Sequence, residues 1–302
     1  MKKKRTVIII TLVVILIVLP LAVSWYFSSI ILYPKSVCHK EHYVYCGDPS
    51  EIPLEFENIS FETDDKITLR GWYMPADNSS TAVIMVHGHG GSKNEGLRFA
   101  KPLVKAGFNV LAYDSRVLAK TGDAFASMGY HEVKDVKAAV DYLTKARDIS
   151  RVGVLGFSMG GSTAIMAMAD DNRIKAGLFS SSYANMVDEM AEVGQRDFGM
   201  PRLPILPLAI SLINLRGNMD LYEVVPEKSI SKISPRPLLI MHCDKDDYVD
   251  YSHAQRLFKA AGNPKDMWTA HCDKHEYLWN SDPEKAESVV TDFFSTHLKP
   301  VP

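Results

Sequence analysis

The chain has 302 residues, of which 46% are hydrophobic, and its formal net charge is −2. This near-neutral balance gives no electrostatic reason to expect binding to nucleic acid. About 270 residues follow an apolar N-terminal segment, which is long enough for one large domain with its own hydrophobic core.

The N-terminal segment has the composition of a membrane-spanning helix. Four basic residues at positions 2–5 precede residues 6–32, which carry no charged side chain. About 20 apolar residues cross a bilayer, and the aromatic residues 25–27 suit its interface. Because basic residues favour the cytoplasmic side, we expect a single-pass signal anchor with a cytoplasmic N-terminus and an extracytoplasmic domain. The alternative is a signal peptide cleaved near residues 22–24, which would release a secreted protein.

We therefore divide the chain into a basic tip and anchor (1–34), a linker (35–54) and a globular domain (55–302). Of the four cysteines, Cys38 and Cys46 bracket a polar loop in the linker and can form a local disulfide outside the cytosol. Cys243 and Cys272 each follow a predicted strand, and either a disulfide or two buried thiols is open for them. None of the cysteine spacings is typical of a zinc site, so we expect no metal.

The domain begins with two predicted antiparallel strands and continues with alternating strands and helices. Residues 55–74 alternate apolar and polar side chains around Asp64, Asp65 and Lys66, which predicts a β-hairpin. The later strands are predicted at 82–86, 109–113, 152–156, 176–180, 237–242 and 266–270, and the helices at 95–106, 132–146, 162–169, 251–261 and 283–298. This order predicts an α/β fold with a mostly parallel sheet covered on both faces by helices.

A glycine-rich turn follows the predicted strand 82–86. It reads His87-Gly88-His89-Gly90-Gly91, and such a turn lets backbone amides point inward. We assign the amide of His89 to an oxyanion hole and expect His87 to brace the turn. A simple tight turn without a catalytic role is the alternative.

The most informative stretch is VGVLGFSMGGSTA, residues 152–164. It places one serine, Ser158, between an aliphatic strand and a run of small residues, with glycine two positions away on either side. This pattern is typical of a strand, a sharp turn and a helix that present a nucleophilic hydroxyl at the helix N-terminus. We predict Ser158 as the nucleophile and the amide of Met159 as the second oxyanion donor.

Residues 182–234 form a long insertion between two predicted strands. The insertion contains several methionines, a proline-rich run and an apolar stretch at 206–215 that the sheet does not need. It is long for a plain connection. We expect a helical cap over the nucleophile, and an ordinary pair of packing helices is the alternative.

An acidic loop follows the predicted strand 237–242, and a histidine-bearing loop follows the last strand. The acidic residues Asp244, Asp246, Asp247 and Asp250 are all candidate acids, and the residues alone do not decide between them. A histidine base is needed to activate a serine, and it must lie after the last strand. His275 lies deeper in its loop than His271, so we predict His275 as the base and keep His271 as the alternative.

With serine, acid and histidine in this chain order, residues 55–298 resemble an α/β-hydrolase. The marks of the resemblance are the glycine-rich turn at His87, the pentapeptide around Ser158, the acidic loop, and His275 followed by an Asp-Pro-Glu run. Within that superfamily the chain is similar to membrane-anchored, Bem46-like and S9- and S33-peptidase-like bacterial hydrolases. The resemblance implies Asp246 as the acid, with Asp247 as the runner-up. Members usually have glycine where this chain has Cys243.

These residues lead us to expect a serine hydrolase that cleaves carboxylic esters through a Ser158–His275–Asp246 acyl-enzyme mechanism without a cofactor. An apolar cap beside a membrane suits a small-molecule or lipid-like acyl substrate, such as an acyl ester or a lysophospholipid. The alternative enzyme is a serine peptidase or aminopeptidase that hydrolyses amides. A non-catalytic binding protein with the hydrolase fold is a second alternative, and no protein partner is indicated.

Overall fold

The computed structural model describes residues 2–38, 40–119, 125–200 and 202–298. Its eight-stranded sheet has the order β1-β2-β4-β3-β5-β6-β7-β8. The strands are β1 (Glu57–Glu62), β2 (Thr68–Met74), β3 (Thr81–Val86), β4 (Asn109–Asp114), β5 (Arg151–Phe157), β6 (Ile174–Ser180), β7 (Leu238–Cys243) and β8 (Lys265–Ala270). β2 runs antiparallel to β1 and β4, and all other neighbours are parallel. The predicted hairpin and mostly parallel sheet are confirmed.

Twelve α-helical segments accompany the sheet within the described residues. They are α1 (Lys2–Val13), α2 (Leu19–Leu32), α3 (Lys40–Tyr43), α4 (Leu97–Lys105), α5 (Glu132–Ala146), α6 (Met159–Asp170), α7 (Met186–Phe198), α8 (Ile205–Gly217), α9 (Pro226–Ser229), α10 (Tyr251–Ala260), α11 (Leu278–Ser281) and α12 (Pro283–His297). Short 3₁₀ turns lie at Pro49–Glu51, Lys93–Gly96, Arg116–Leu118, Leu221–Glu223 and Ile230–Ile233. α6 begins three residues earlier than predicted, because the chain enters the helix directly after Ser158.

Helices cover both faces of the sheet, as the apolar strands require. β3 is buried along its whole length. α5, α6 and α10 pack on one face through residues such as Val136, Ala164 and Leu257, while α4 and α12 pack on the other through Leu103 and Phe294. Full burial of each large apolar side chain stabilises the fold by about 1.5–3 kcal/mol. The sheet is therefore a rigid platform, and its parallel strands end along one edge where the predicted site residues lie.

One continuous N-terminal helix, Lys3–Leu32, is long and apolar enough to cross a membrane. It consists of α1, a single π-helical turn at Val14–Val18, and α2. Its middle part exposes a band of aliphatic side chains, among them Ile10, Ile15 and Leu16. Its last turns, in contrast, pack against α8 of the insertion.

All four cysteines are paired. Cys38 is bonded to Cys46, and Cys243 at the end of β7 is bonded to Cys272 after β8. The second disulfide links the acidic loop to the histidine-bearing loop, and it explains the departure from glycine at position 243. Within the segment predicted as a linker, Ile52 is buried in the core of the domain, and Tyr45 and Leu54 pack against the same cluster.

Removing the disulfides tests how much each one constrains the chain. Cys243 and Cys272 are 29 residues apart, whereas Cys38 and Cys46 are only 8 apart. Loop-closure entropy predicts that a Cys243→Ala/Cys272→Ala variant loses about 3–4 kcal/mol of unfolding free energy. The matched Cys38→Ala/Cys46→Ala variant should lose about 2.5 kcal/mol. Urea unfolding in detergent measures both losses, and the reverse ranking would contradict the expectation.

Candidate active site

Ser158 lies at a sharp turn between β5 and α6. Its backbone has φ 52° and ψ −120°, a strained conformation for a residue with a side chain. The turn is possible because small residues flank it. A Cβ on Gly156 would lie 2.4 Å from the carbonyl oxygen of Gly160, and a Cβ on Gly160 would lie 2.1 Å from that of Val86. The predicted strand, turn and helix are therefore present.

A line of hydrogen bonds joins Ser158, His275 and Asp246. His275 Nε2 lies 2.8 Å from Ser158 Oγ. His275 Nδ1 lies 2.9 and 3.0 Å from the two carboxylate oxygens of Asp246. Because Asp246 accepts the Nδ1 proton, the lone pair of the neutral ring is on Nε2, facing the serine hydroxyl. The structure brings together the three residues that the sequence suggested as nucleophile, base and acid.

The geometry distinguishes Asp246 from its runner-up Asp247. The Asp246 side chain is fully buried and also accepts hydrogen bonds from the amides of Tyr248 and Val249, each at 2.9 Å. These bonds fix the carboxylate against the imidazole. Asp247 accepts a hydrogen bond from the backbone amide of His275 at 2.8 Å, so it orders the loop rather than the ring.

The other candidates from the two loops lie outside the hydrogen-bonded line. The His271 side chain is 81% exposed, and its Nδ1 lies 2.7 Å from a carboxylate oxygen of Asp244. Asp250 accepts a hydrogen bond from the amide of Ser252 and so caps α10. The side chains of His271, Asp244 and Asp250 make no hydrogen bond to Ser158.

The environment of His275 favours its protonated form. Burial alone would lower the pKa of the ring, but the hydrogen bond and charge of Asp246, with further acidic groups nearby, raise the pKa to about 9. Burial opposes ionisation of Asp246 in the same way, yet the hydrogen bond from His275 holds the pKa of that carboxyl below its usual value. Both shifts favour the pair of imidazolium and carboxylate, which is the state that forms when His275 takes a proton from Ser158.

This raised pKa predicts a pH dependence. A base must be unprotonated, so kcat/KM for an ester should rise as pH increases from 6 and level off near the His275 pKa of about 9. The rise should be about tenfold per pH unit below the midpoint. Stopped-flow or plate assays of p-nitrophenyl ester hydrolysis between pH 6 and 10 measure the profile. A profile already flat from pH 6 upward would contradict it.

The glycine-rich turn after β3 lies against the nucleophile. A Cβ on Gly88 would lie 3.2 Å from Ser158 Cβ. His89 follows Gly88, and Met159 follows Ser158 as the first residue of α6, where the backbone amide has no acceptor within the helix. Both residues suggested as oxyanion donors therefore flank the serine.

Two histidines of the glycine-rich turn have different tasks. His87 is buried and bridges two backbone groups: its Nδ1 donates to the carbonyl of Gly88 at 2.8 Å, and its Nε2 accepts from the amide of Ser115 at 2.9 Å. This is the bracing role that we expected. The imidazole of His89 instead reaches the N-terminal helix, where its Nε2 donates to the carbonyl oxygen of Ile31 at 2.8 Å.

A buried carboxyl behind the nucleophile escaped the sequence analysis. Glu276 accepts hydrogen bonds from the amide of Ser158 at 3.1 Å and from the hydroxyl of Ser180 at 2.9 Å, and it pairs with buried Arg98 at 3.2 Å. Burial raises the pKa of Glu276 to about 7, although Arg98 opposes the shift. Glu276 therefore stabilises the strained turn by accepting a hydrogen bond from the amide of Ser158. The one signal in the sequence is that Glu276 directly follows His275. A glutamate beside a histidine does not by itself indicate a buried or structural role.

An apolar cavity of about 220 Å³ opens above Ser158. α7 and α8 of the insertion 182–234 contribute residues such as Met190 and Leu206, and the N-terminal helix contributes Phe27 and Ile31. Apolar pockets with few polar groups suit apolar ligands. The insertion thus lies over the nucleophile, in the position expected of a cap.

Besides Asp197, the cavity lining includes the buried carboxyl of Glu189 of α7. It is 3% exposed, and neither carboxyl oxygen has a hydrogen-bond partner among the described residues. Burial raises its pKa to about 8, so the carboxyl is mostly protonated at neutral pH. One carboxyl oxygen of Glu189 lies 3.5 Å from His253 Nε2.

Glu189, Glu192 and His253 form the one group among the described residues whose ligand atoms lie close enough to hold a metal ion. The tautomer of His253 argues against that use. His253 Nδ1 accepts a hydrogen bond from the amide of Ala184 at 2.9 Å, so Nε2 carries the proton and donates to Glu192 at 3.2 Å. A protonated nitrogen has no lone pair for a metal, and we assign none to this group.

Comparison with known proteins identifies the family. The model of the prolyl oligopeptidase family matches residues 95–300, a range that includes Ser158, Asp246 and His275. The chain belongs to the prolyl oligopeptidase family. As a member of this family, it is a hydrolase of the α/β type.

Individual relatives agree with this assignment. The chain is 27% identical over 203 residues to the uncharacterized protein YqkD of Bacillus subtilis, a match that covers 66% of each chain. The chain therefore spans about two thirds of the length of that relative. It is also 25% identical over 224 residues to protein bem46 of Schizosaccharomyces pombe, which covers 72% of this chain and 69% of bem46. The suggested Bem46-like and S9-like membership is confirmed.

A solved structure confirms the fold. The Pyrococcus furiosus esterase Pf2001 superposes with a TM-score of 0.68 and 24% identity, and the match covers 88% of this chain and 99% of the esterase. At this level of identity the likeness shows the α/β-hydrolase fold alone.

Proposed function

We propose that this chain is a serine hydrolase that cleaves carboxylic esters with apolar acyl chains. The main support is the hydrogen-bonded line from Asp246 through His275 to Ser158, which ends at the floor of an apolar cavity. A nucleophile, an oriented base and two flanking backbone donors are the parts that acyl transfer requires.

In the first step, His275 Nε2 takes the proton of Ser158 as Oγ attacks the ester carbonyl. The carbonyl oxygen becomes an anion that the amides of His89 and Met159 stabilise, and each such donor typically contributes about 2.7–4 kcal/mol. The imidazolium then gives its proton to the leaving alkoxide, so the ester C–O bond breaks and the alcohol departs. The acyl group stays bonded to Ser158 Oγ.

In the second step, water attacks the acyl-enzyme. His275 accepts a proton from the water, a second oxyanion forms, and collapse returns the proton to Ser158 Oγ. The products are a carboxylic acid and the free enzyme. Asp246 stays ionised throughout, since it orients the ring and stabilises its positive charge.

We also propose that the N-terminal helix is an uncleaved single-pass anchor with its N-terminus in the cytoplasm. Residues 2–5 are basic, which favours retention on the cytoplasmic side. The chain beyond the helix carries two disulfides, which form in oxidising compartments outside the cytosol. Both observations support a catalytic domain on the extracytoplasmic face of the membrane.

An amide hydrolase that recognises a cationic amino terminus is the second candidate function. Glu189 supports it, because an unpartnered buried carboxyl in the cavity would ionise and bind an ammonium group. Most of the other lining residues are apolar, which favours acyl esters instead.

A substrate profile separates the two candidates. We expect p-nitrophenyl esters of increasing chain length to be hydrolysed at least about tenfold faster than aminoacyl p-nitroanilides. Glu189→Gln keeps the shape of the side chain but removes its ability to ionise, so it should leave ester turnover within a few-fold of wild type. A preference for aminoacyl amides that Glu189→Gln abolishes would replace the esterase proposal with the peptidase.

A further inference from the structure

The end of the N-terminal helix is a wall of the cavity above Ser158. Phe27, Ile30 and Ile31 line the same cavity as Ser158 itself. Opposite them stand apolar side chains of the insertion, including Phe198, whose ring centroid lies 4.7 Å from that of Phe27. An acyl chain in this cavity would therefore touch the helix that is apolar enough to cross the membrane.

The helix is fixed to the domain along one stripe. Ser24, Ser28 and Leu32 recur every four residues and are fully buried. Small residues at such spacing let two helices approach closely, and α8 packs on this stripe. Arg216 of α8 donates to Ser29 Oγ at 2.8 Å, and its guanidinium lies 4.2 Å from the ring centroid of Trp25. These contacts hold the wall in a defined place.

The last carbonyl groups of the helix are satisfied by the domain. The carbonyl of Leu32 accepts from the amide of Ala126 at 2.8 Å, and that of Ile31 accepts from the His89 imidazole at 2.8 Å. The same residue, His89, supplies the backbone amide that we place in the oxyanion hole. The helix end is thus coupled to the catalytic turn as well as to the pocket.

The length of the helix places this wall near the membrane surface. The 20 residues from Thr6 to Trp25 span about 30 Å, which is the thickness of the hydrocarbon core. Phe27 and Ile31 then lie only about 3 and 9 Å beyond the hydrocarbon edge, in the headgroup layer. Two apolar side chains of the insertion, Phe198 and Leu215, are 57% and 79% exposed. Leu215 is the neighbour of Arg216, whose guanidinium contacts the ring of Trp25.

We propose that the membrane helix forms one wall of the acyl-binding pocket. The substrate is then a long-chain lipid ester that enters from the adjoining leaflet of the membrane. The acyl chain enters beside Phe27 and Phe198 and reaches Ser158 without crossing water. Ile31 at the pocket wall then limits the acyl length. This inference rests on the proposed esterase function.

The first experiment makes the cavity narrower or wider at Ile31. In full-length protein, Ile31→Trp narrows the cavity and Ile31→Ala widens it, while Ile17→Trp is the control because Ile17 is lipid-exposed and remote from the cavity. On p-nitrophenyl esters, Ile31→Trp should lower the ratio of kcat/KM for a C16 ester to kcat/KM for the acetate at least about tenfold. Ile31→Ala should shift the optimum to longer chains, and Ile17→Trp should match wild type. Identical chain-length profiles for all four proteins would overturn the proposal.

The second experiment tests the route of the substrate. Full-length protein is reconstituted in phosphatidylcholine vesicles, and 4-methylumbelliferyl oleate is placed either in the same vesicles or in separate ones. We expect hydrolysis at least about tenfold faster when protein and oleate share a bilayer, with equal rates for p-nitrophenyl butyrate in both arrangements. Equal oleate rates would show uptake from water and overturn the route. If the wild type hydrolyses neither ester, the proposed esterase function fails instead.

Discussion

Ser158→Ala should lower kcat for a p-nitrophenyl ester by about 10⁴-fold or more. The variant removes the atom to which the acyl group bonds, so only the oxyanion donors and the pocket remain. Among the described residues, the side chain of Ser158 makes one hydrogen bond, which its hydroxyl donates to His275 Nε2, so the fold should be unchanged. Initial rates with saturating ester, corrected for background hydrolysis, measure the loss.

Ser162→Ala is the matched control for this prediction. Ser162 lies one helical turn further along α6, is fully buried, and donates its hydroxyl proton to the carbonyl of Tyr183 at 2.9 Å. Its replacement should cost about 1 kcal/mol of stability and leave kcat within a few-fold of wild type. If Ser158→Ala kept more than a tenth of the activity, Ser158 could not be the nucleophile.

Asp246→Asn should produce a second large loss, about 10⁴-fold in kcat. An amide is nearly the same size as a carboxylate, but its NH₂ group cannot accept the His275 Nδ1 proton and favours the wrong tautomer. The variant also removes the charge that raises the pKa of His275, so the remaining activity should reach its plateau at a lower pH. A pH series of kcat/KM records both effects.

Asp247→Asn is the control, because Asp247 is the neighbouring carboxylate and its one hydrogen bond within the described part of the chain is to the backbone amide of His275. Its amide oxygen can still accept that hydrogen bond, so kcat should fall less than about tenfold. A larger loss for Asp247→Asn than for Asp246→Asn would show that the acid had been assigned to the wrong residue.

The sequence predicted the features that depend on local pattern. Aliphatic runs predicted the parallel strands, and the glycines around Ser158 predicted the turn. The structure shows why these glycines are needed, because no larger residue fits there. The candidate acid needed a family resemblance, since Asp244, Asp246, Asp247 and Asp250 look alike until their partners are known. The disulfide between Cys243 and Cys272 was left open because its formation depends on the adjacency of β7 and β8.

What escaped prediction depends on contacts between distant segments. Glu276 and Glu189 are charged residue types that usually lie at the surface, and only the folded chain reveals them buried beside Ser158 and in its pocket. The contact of Ile31 with His89 joins residues 58 positions apart. A hydropathy pattern predicts a helix that can cross a membrane, but it contains no information on which side chains that helix presents to a catalytic turn.

Covalent labelling tests the central claim most directly. Full-length protein in detergent is treated with a fluorophosphonate probe, digested and analysed by mass spectrometry. We predict one adduct per chain, on the peptide that carries Ser158, and none in folded Ser158→Ala. A folded wild-type chain that stays unlabelled, as a binding-only protein would, or that carries the adduct on another residue, would contradict the assignment of Ser158 as the activated nucleophile.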